Sequence, residues 1–464
     1  MNLQSYHPRL DRGTLALILT LAWPTMLEQL MQTAVQYIDT AMVGSLGTEA
    51  TAAVGATSTV NWLVIITISS LGTGFLSFIA KACGAGEREK AARSSSQAVL
   101  LTLIAGSLLT VLILSLGRFV PVWMQVDPAI QELSATYFLI LYSPILFRTA
   151  TVIFGTILRA AGDTKTPMRV GILVNLLNVT LNFLLIYPTR TISVFGLSFP
   201  MIGAGLGVIG AAIASAIAFA AGGIFITVKL WQHPFLSPRG QSLRPDWTVL
   251  QPCFQVALPN MVQRFGVSFG YVTFAAMINS VGEVATAAHT IANTVESAFY
   301  IPGFGMQTAA ATLAGNAFGA RDNEQLKKLT RTCLVIEVLL MLLSGGALFL
   351  LATPMMRLFS RSEDVIRLGA TVLRMVALSE PFYGVFIIFE GVRLGLGDTK
   401  TPLIYNLAGM WGVRITGTFI CTQLLHLGLV AAWGCMILHN LLVFTLYTIQ
   451  YVTGRWNPLA RECG

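Results

Sequence analysis

Gly162-Asp163-Thr164-Lys165-Thr166-Pro167 recurs unchanged as Gly397-Asp398-Thr399-Lys400-Thr401-Pro402. Other positions keep the same spacing. Pro24 matches Pro259, Met42 matches Met277, and Gly47 matches Gly282. Ala50-Thr51-Ala52-Ala53 matches Ala285-Thr286-Ala287-Ala288, and Gly84-Ala85 matches Gly319-Ala320. A constant register held over more than a hundred residues marks one unit duplicated.

Composition sets the solvent. The chain is 55% hydrophobic and 11% charged, with a mean hydropathy of +0.71, whereas a soluble domain carries about 25% charged residues. Such a surface is solvated by lipid. The six cysteines (Cys83, Cys253, Cys333, Cys421, Cys435, Cys463) have no metal-ligand spacing and read as small apolar packing residues. The first apolar run is too long for a signal peptide and is expected to remain as a span.

Apolar runs of about 20 residues cross the hydrocarbon core as helices. Twelve are expected: 14–43, 51–80, 94–117, 131–157, 170–187 and 204–228, then 249–277, 285–315, 332–352, 366–392, 403–424 and 428–451. With the N-terminus placed inside, beginning with Arg9 and Arg12, 20 of the 29 Lys and Arg fall on inner segments. Arg118, Arg190, Arg357, Arg361 and Arg367 fall outside, and Arg148, Arg264, Arg374 and Arg414 lie within spans. That bias supports twelve spans with both termini cytoplasmic. Six spans per copy make the copies parallel repeats, a build in which secondary transporters bind substrate between halves. The expected organisation is an N-lobe, 1–230, a cytoplasmic linker, 231–248, and a C-lobe, 249–464. The fold class is an all-α polytopic membrane protein with twelve transmembrane helices in two parallel six-helix lobes. Pro188 to Gly203 is an irregular outer stretch without a counterpart in the second half.

Ionisable residues inside spans are expensive, roughly 2.5–3.5 kcal/mol at a helix centre, and are functional candidates by default. The acids are Glu28, Asp39, Glu296, Glu337, Glu380 and Glu390. The repeat register sets Asp39 against Phe274, Glu28 against Gln263, Glu296 against Asn61 and Glu390 against Gly155, so each belongs to one copy only. Asp39, walled by apolar side chains, can exchange a proton as its surroundings open and close; the plainer reading is a helix cap or a bond to a neighbouring hydroxyl. Glu296, in Asn293-Thr294-Val295-Glu296-Ser297, fits proton or sodium coordination and equally a salt bridge to an intramembrane Arg. Glu390 adds a third coupling candidate, beside the plainer reading of an interfacial pair with Arg393. Glu28 and Arg264 read as an inter-half pair. Asn175, Asn178 and Asn182 share one helical face, which either bonds span 1 or lines a cavity. With Glu28, Gln263, Arg264, Asn61 and Asn293 they are the candidate substrate-facing set. His289 reads as a satisfied interfacial histidine. Pro24, Pro144, Pro259, Pro302 and Pro381 fall inside spans and permit bends. No Walker motif, Ser/His/Asp set or HExxH is present, which argues against ATP as the driver and against an enzyme.

Asp39-Thr40-Ala41-Met42-Val43-Gly44 with Leu46-Gly47, the doubled hexapeptide, and Pro302-Gly303-Phe304-Gly305 resemble the MATE family of multidrug and toxic-compound extrusion transporters. The resemblance covers essentially the whole chain. It implies two six-helix lobes, cation-coupled antiport, and amphipathic, often cationic substrates, with Asp39 at the position of the family's span-1 aspartate. Val267 stands where many bacterial members have a span-7 glutamate, and Tyr383 stands near their span-10 aspartate. Asn182 replaces an Asp of archaeal-type members. These departures weigh against a sodium site built from the span-7 and span-10 acids.

The expectation is a proton-coupled antiporter exporting small organic compounds by alternating access, as a monomer in the cell membrane, with no cofactor, metal or nucleic-acid partner. Sodium near Glu296 is the alternative coupling ion. A sodium-coupled multidrug antiporter, a lipid-linked precursor flippase, and a channel or receptor are the rival functions. The doubled hexapeptide is expected to be a tight turn on the cytoplasmic face, with Asp and Thr capping and no substrate role.

Overall fold

The doubled hexapeptide makes the same turn twice. Gly162 and Gly397 hold φ of +87° and +79°, a left-handed conformation that costs glycine little and ends a helix. The backbone N–H of Asp163 returns to Leu158 O at 2.9 Å, and that of Asp398 to Arg393 O at 2.9 Å. Each aspartate then caps the next helix. Asp163 Oδ1 accepts from Thr166 N at 3.0 Å, and Asp398 Oδ1 from Thr401 N at 3.1 Å. The expected role for threonine holds only in part, because Thr399 Oγ1 donates instead to Val256 O at 2.9 Å.

The computed structural model describes residues 12–194 and 197–462; Arg9 and Cys463 lie outside them. Span 1 is Arg12–Gly44, span 2 Thr48–Gly84, span 3 Arg88–Leu116, span 5 Lys165–Leu185 and span 6 Gly207–Gln232. Span 7 is Trp247–Asn279, span 8 Glu283–Gly319, span 9 Asn323–Phe359 and span 12 Leu429–Val452. Helix is the form that satisfies every backbone group of such apolar runs in lipid. Seven of these are long and apolar enough on their own to cross a membrane. Spans 4 and 10 each qualify as a bent pair: Pro128–Tyr142 with Ile145–Ala160 at 48°, and Glu363–Ala377 with Glu380–Leu396 at 54°. Both breaks fall at the same register of the repeat, beside Pro144 and Pro381. The protein is therefore a multi-pass membrane protein.

Span 11 breaks the repeat. Its counterpart, span 5, is regular, whereas span 11 runs Lys400–Leu407, then a π-helical Ala408–Ile415, then Thr416–Phe419 and a second π segment, Ile420–Leu424. The fold is also not purely helical. The irregular stretch between spans 5 and 6 forms an antiparallel hairpin, β1 (Pro188–Val194) with β2 (Leu197–Ala204). Thr189, Thr191, Ile192 and Val194 are β-branched, which suits strand over helix.

Two compact units form. One comprises the chain up to Met26, the short stretch Ala80–Gly86 and the chain from Gln255 on. The other comprises Leu27–Ile79 and Glu87–Phe254. Span 1 changes unit within two residues of Pro24, where a backbone donor is missing. In the first unit, Ile18, Leu21 and Ala22 are buried with Met306, Ala310 and Leu313 of span 8.

That unit also contains a reciprocal crossing. A Cβ on Gly84 would stand 1.9 Å from Asn316 O, and a Cβ on Gly319 2.0 Å from Lys81 O. Gly84 and Gly319 are repeat equivalents, as are Lys81 and Asn316. Equivalent residues touching each other in both directions is the signature of a local two-fold axis.

In the other unit the segment before span 7 is held by span 3. Gln97 Nε2 donates to Arg244 O at 2.9 Å and Gln97 Oε1 accepts from Asp246 N at 2.9 Å. Arg93 pairs with Asp246. Hydrogen bonds from the hydroxyl and backbone N–H of Thr248, with the Arg93 charge, hold the Asp246 carboxyl below its ordinary range. After span 6, His233 Nδ1 accepts from Phe235 N at 3.2 Å and Leu236 N at 3.1 Å.

Candidate functional site

Asp39 is the half-buried centre of a polar cluster in the Leu27–Ile79/Glu87–Phe254 unit. Asn182, on the asparagine face of span 5, donates to Asp39 Oδ1 at 2.6 Å. The Asn178 orientation that satisfies its neighbours donates to Asp39 Oδ1 at 2.9 Å and Oδ2 at 3.2 Å, and accepts from Ser215 Oγ at 2.9 Å. Asn178 and Asn182 are 6% and 1% exposed, so span 5 turns this face inward. Asn175 does not join them; its Nδ2 is buried and has no hydrogen-bond partner among the described residues. Asn182 Oδ1 is likewise a buried acceptor that receives no hydrogen bond among the described residues.

A second polar chain lies alongside. Tyr137, buried, is within electrostatic range of Asp39, Tyr142 and Arg148. Tyr142 donates its hydroxyl to Asn61 Oδ1, and Arg148 Nη1 donates to the same atom at 3.0 Å. The Arg148 guanidinium also stacks 4.5 Å from the Phe219 ring. Asn61, expected to line a cavity, is thus engaged in holding Arg148. Tyr137, Tyr142 and Ser215 carry no in-span charge and no register anomaly, so the sequence offered no signal for them.

The expected Glu28–Arg264 pairing gives way to two local ones. Arg159 Nη1 binds Glu28 Oε2 at 3.0 Å, with side chains 17% and 13% exposed respectively. Arg264 Nε donates to Asn260 Oδ1 at 3.1 Å. The physical reason is proximity within each unit: span 4 presents Arg159 to span 1, where Gly155 and Gly171 leave room for the pair. A Cβ on Gly155 would lie 3.6 Å from Arg159 Nη2, and one on Gly171 3.4 Å from Glu28 Cγ.

The same register in the second repeat is rebuilt around Glu390. Gln263 stands at the position of Glu28, Glu390 at Gly155, Asn406 at Gly171 and Gln307 at Gly72. Gln263 donates to Glu390 Oε1, Gln307 Nε2 to Oε2 at 3.0 Å and Asn406 Nδ2 to Oε1 at 3.2 Å. Arg264 is within electrostatic range. The interfacial pair expected with Arg393 does not form, because Arg393 turns to Asp398 at 2.6 Å and to Gln450. Three glycines in one copy and three polar side chains in the other separate a salt bridge from an amide-ringed carboxylate.

Glu296 is 8% exposed and within electrostatic range of Arg414 of span 11. Asn293 is exposed, whereas Glu296 is buried. His289 Nδ1 accepts from Trp433 Nε1 at 3.2 Å, the satisfied histidine expected. No three described His, Cys, Asp or Glu side chains gather closely enough to hold a metal.

A helical, multi-pass membrane protein built from two repeats, each with its own carboxylate within a span, defines the class. The MatE family model matches residues 24–184 and 259–420, one segment in each repeat. The chain belongs to the MATE family. It is 27% identical over 443 residues to the probable multidrug resistance protein NorM of Thermotoga maritima, covering 96% of this chain and 93% of that one. It is 26% identical over 449 residues to the probable multidrug resistance protein YpnP of Bacillus subtilis, covering 94% of each. A crystal structure of a MATE in complex with MaD5 superposes with a TM-score of 0.86 at 22% identity, over 97% of both chains. A MOP superfamily transporter from Pyrococcus furiosus, described as having a binding pocket of reverse polarity, superposes with a TM-score of 0.84 at 23% identity, over 97% of this chain and 99% of that one.

Proposed function

We propose that the chain is a proton-coupled antiporter that exports small amphipathic, often cationic organic compounds across the cell membrane by alternating access. The multidrug names of its relatives support the substrate class. The observation that carries the coupling is the contrast between two carboxylates on span 1. Glu28 is neutralised by Arg159, whereas Asp39 is held by amides and forms no ion pair among the described residues. A carboxylate without a fixed counter-charge is free to take up and release a cation, and Asn178 and Asn182 can accept as well as donate, so they serve both states. Both repeats lie in one polypeptide, so a single chain suffices for the cycle, with 1–230 and 249–464 as its lobes and both termini in the cytoplasm. One charge moving through 100 mV releases about 2.3 kcal/mol, enough for a gradient of about fifty-fold. The reading is of a transporter, with no catalytic step.

A sodium-coupled form is the second reading, and one observation favours it: Asn182 Oδ1, beside Asp39, is a buried oxygen without a donor among the described residues, and hard cations take oxygen ligands. Efflux of ethidium from proteoliposomes under an imposed pH gradient, and separately a sodium gradient, distinguishes the two. The proton reading expects the pH gradient alone to drive efflux, with at least a ten-fold loss in Asp39→Asn. Efflux that follows only sodium, or that persists in full in the variant, contradicts it.

A further inference from the structure

Cys421 and Cys435 meet in the unit that runs from Gln255 on. They are 14 residues apart in the chain and their sulfurs stand 3.9 Å apart, with both side chains half-buried. Cys421 lies in Ile420–Leu424, the second π segment of span 11, and Cys435 lies in span 12. π segments are rare and recur at functional sites. The chain between the two cysteines folds back on the first, because the Cys421 carbonyl accepts from Leu427 N at 2.7 Å. The expected packing role fits Cys253 and Cys333, which are buried. It does not account for this pair.

The contact belongs to one repeat only. Gly417, one turn before Cys421, leaves the space that Cys435 enters: a Cβ there would stand 3.0 Å from Cys435 Sγ and 3.5 Å from Cys435 Cβ. The backbones of spans 11 and 12 therefore pass close at this level. Gly417 stands at the position of Asn182 and Cys421 at that of Ile186. Cys435 stands at that of Ala214 once Gly428 is set against Gly207. One copy has an amide and two apolar side chains where the other has a glycine and two thiols. A disulfide bond is about 2.05 Å long, so the sulfurs need to approach by roughly 1.9 Å. Exchange between staggered rotamers moves a sulfur further than that, so side-chain rotation can close the gap.

We propose that Cys421 and Cys435 are a reversible oxidation site, converted by hydrogen peroxide to a disulfide that clamps the π-helical end of span 11 to span 12. The first sulfur gives up its proton and attacks one peroxide oxygen. The O–O bond breaks, water leaves, and that cysteine becomes a sulfenic acid. The second sulfur attacks the first, the S–O bond breaks, a second water leaves, and the S–S bond forms. Two thiols are oxidised, and one peroxide is reduced to two waters. A thiol already 3.9 Å away favours this resolution over further oxidation of the sulfenic acid. A dithiol reductant reverses the step by exchange. Hydrogen peroxide is small and uncharged, so it reaches half-buried thiols beside lipid. With both termini cytoplasmic, as proposed above, the pair lies toward the outer side, away from the reducing cytosol; the chemistry itself does not need that placement.

Bond formation is read without transport, so the outcome stands apart from the export reading. The full chain in lipid nanodiscs is treated with hydrogen peroxide, remaining thiols are blocked with iodoacetamide, and a chymotryptic digest is read by mass spectrometry. A linked peptide pair containing Cys421 and Cys435, two hydrogens lighter than its thiol forms together, is expected. It should vanish on adding dithiothreitol, in Cys421→Ser and in Cys435→Ser, and persist in Cys333→Ser. Amide hydrogen exchange over residues 420–428 should slow in the oxidised protein and recover on reduction. Recovery of both cysteines only as separate alkylated, sulfinic or sulfonic peptides would overturn the site, as would a bond from either to Cys83 or Cys333. Exchange over 420–428 that oxidation leaves unchanged would overturn the clamp.

Discussion

At the scale of single residues, the molecule separates acids that are neutralised in place from acids that are not. Glu28 is of the first kind, and removing its charge strands Arg159. Glu28→Gln is expected to cost about 3 kcal/mol, the low end for breaking a buried pair because both side chains keep some exposure. The second repeat suggests the repair. It carries Gln263 and Leu394 at the positions of Glu28 and Arg159, so adding Arg159→Leu should restore most of the loss. Thermal unfolding of the two single variants and the double variant in detergent gives the coupling directly, and additive losses would refute the pair. Repeat arithmetic found Glu28, Asp39 and Glu390, because an acid opposite Gln, Phe or Gly in the other copy stands out. It could not find the partner of Glu28. Arg159 lies 131 residues away in the chain at a span end that the charge bias assigns to the inside, where basic residues are common for topological reasons.

At the scale of elements, glycine and histidine do the positioning. The crossing of Gly84 and Gly319 leaves no room for a methyl group, with backbone oxygen at 1.9 and 2.0 Å from the would-be Cβ atoms. Gly84→Ala should therefore cost upward of about 3 kcal/mol, beyond ordinary overpacking, and Gly319→Ala the same. Gly44→Ala, whose Cβ would meet nothing within 4 Å, should leave the melting temperature unchanged and serves as the control. The turn after span 6 is pH-sensitive by construction. Its two backbone donors need an unprotonated His233 Nδ1, and burial holds this histidine below its ordinary value of 6.5, against a weaker pull from Asp163. The folded state thus binds fewer protons than the unfolded state between the two values, so the turn is most stable above the ordinary histidine range. It loses that contribution as pH falls from 6.5 through the folded value. Amide hydrogen exchange at Phe235 and Leu236 should accelerate at pH 5 relative to pH 8, after correction for intrinsic rates. Equal protection at both would refute it.

At the scale of the whole molecule, the duplicated register was legible almost completely. Every expected span except span 11 coincides with a helix or a bent pair, and the breaks in spans 4 and 10 fall at matching positions. The hairpin at Pro188–Ala204 and the π segments of span 11 were not legible. The first is a short polar insertion without a repeat to compare. The second leaves the hydrophobic pattern of an ordinary span and changes only the helical winding. The site was legible as isolated acids, but not as networks, since Gln307, Asn406 and Tyr137 are unremarkable until the helices are packed. The central claim, that substrate and proton movements are coupled through Asp39, is tested most directly in the reverse direction, because coupling between two ligands is reciprocal. Proteoliposomes loaded with ethidium and an entrapped pH indicator are diluted into dye-free buffer with no imposed ion gradient. Outward dye flux should acidify the interior in the native protein and leave it unchanged in Asp39→Asn. Acidification that persists in Asp39→Asn, or dye flux through the native protein with no change in internal pH, would contradict the account.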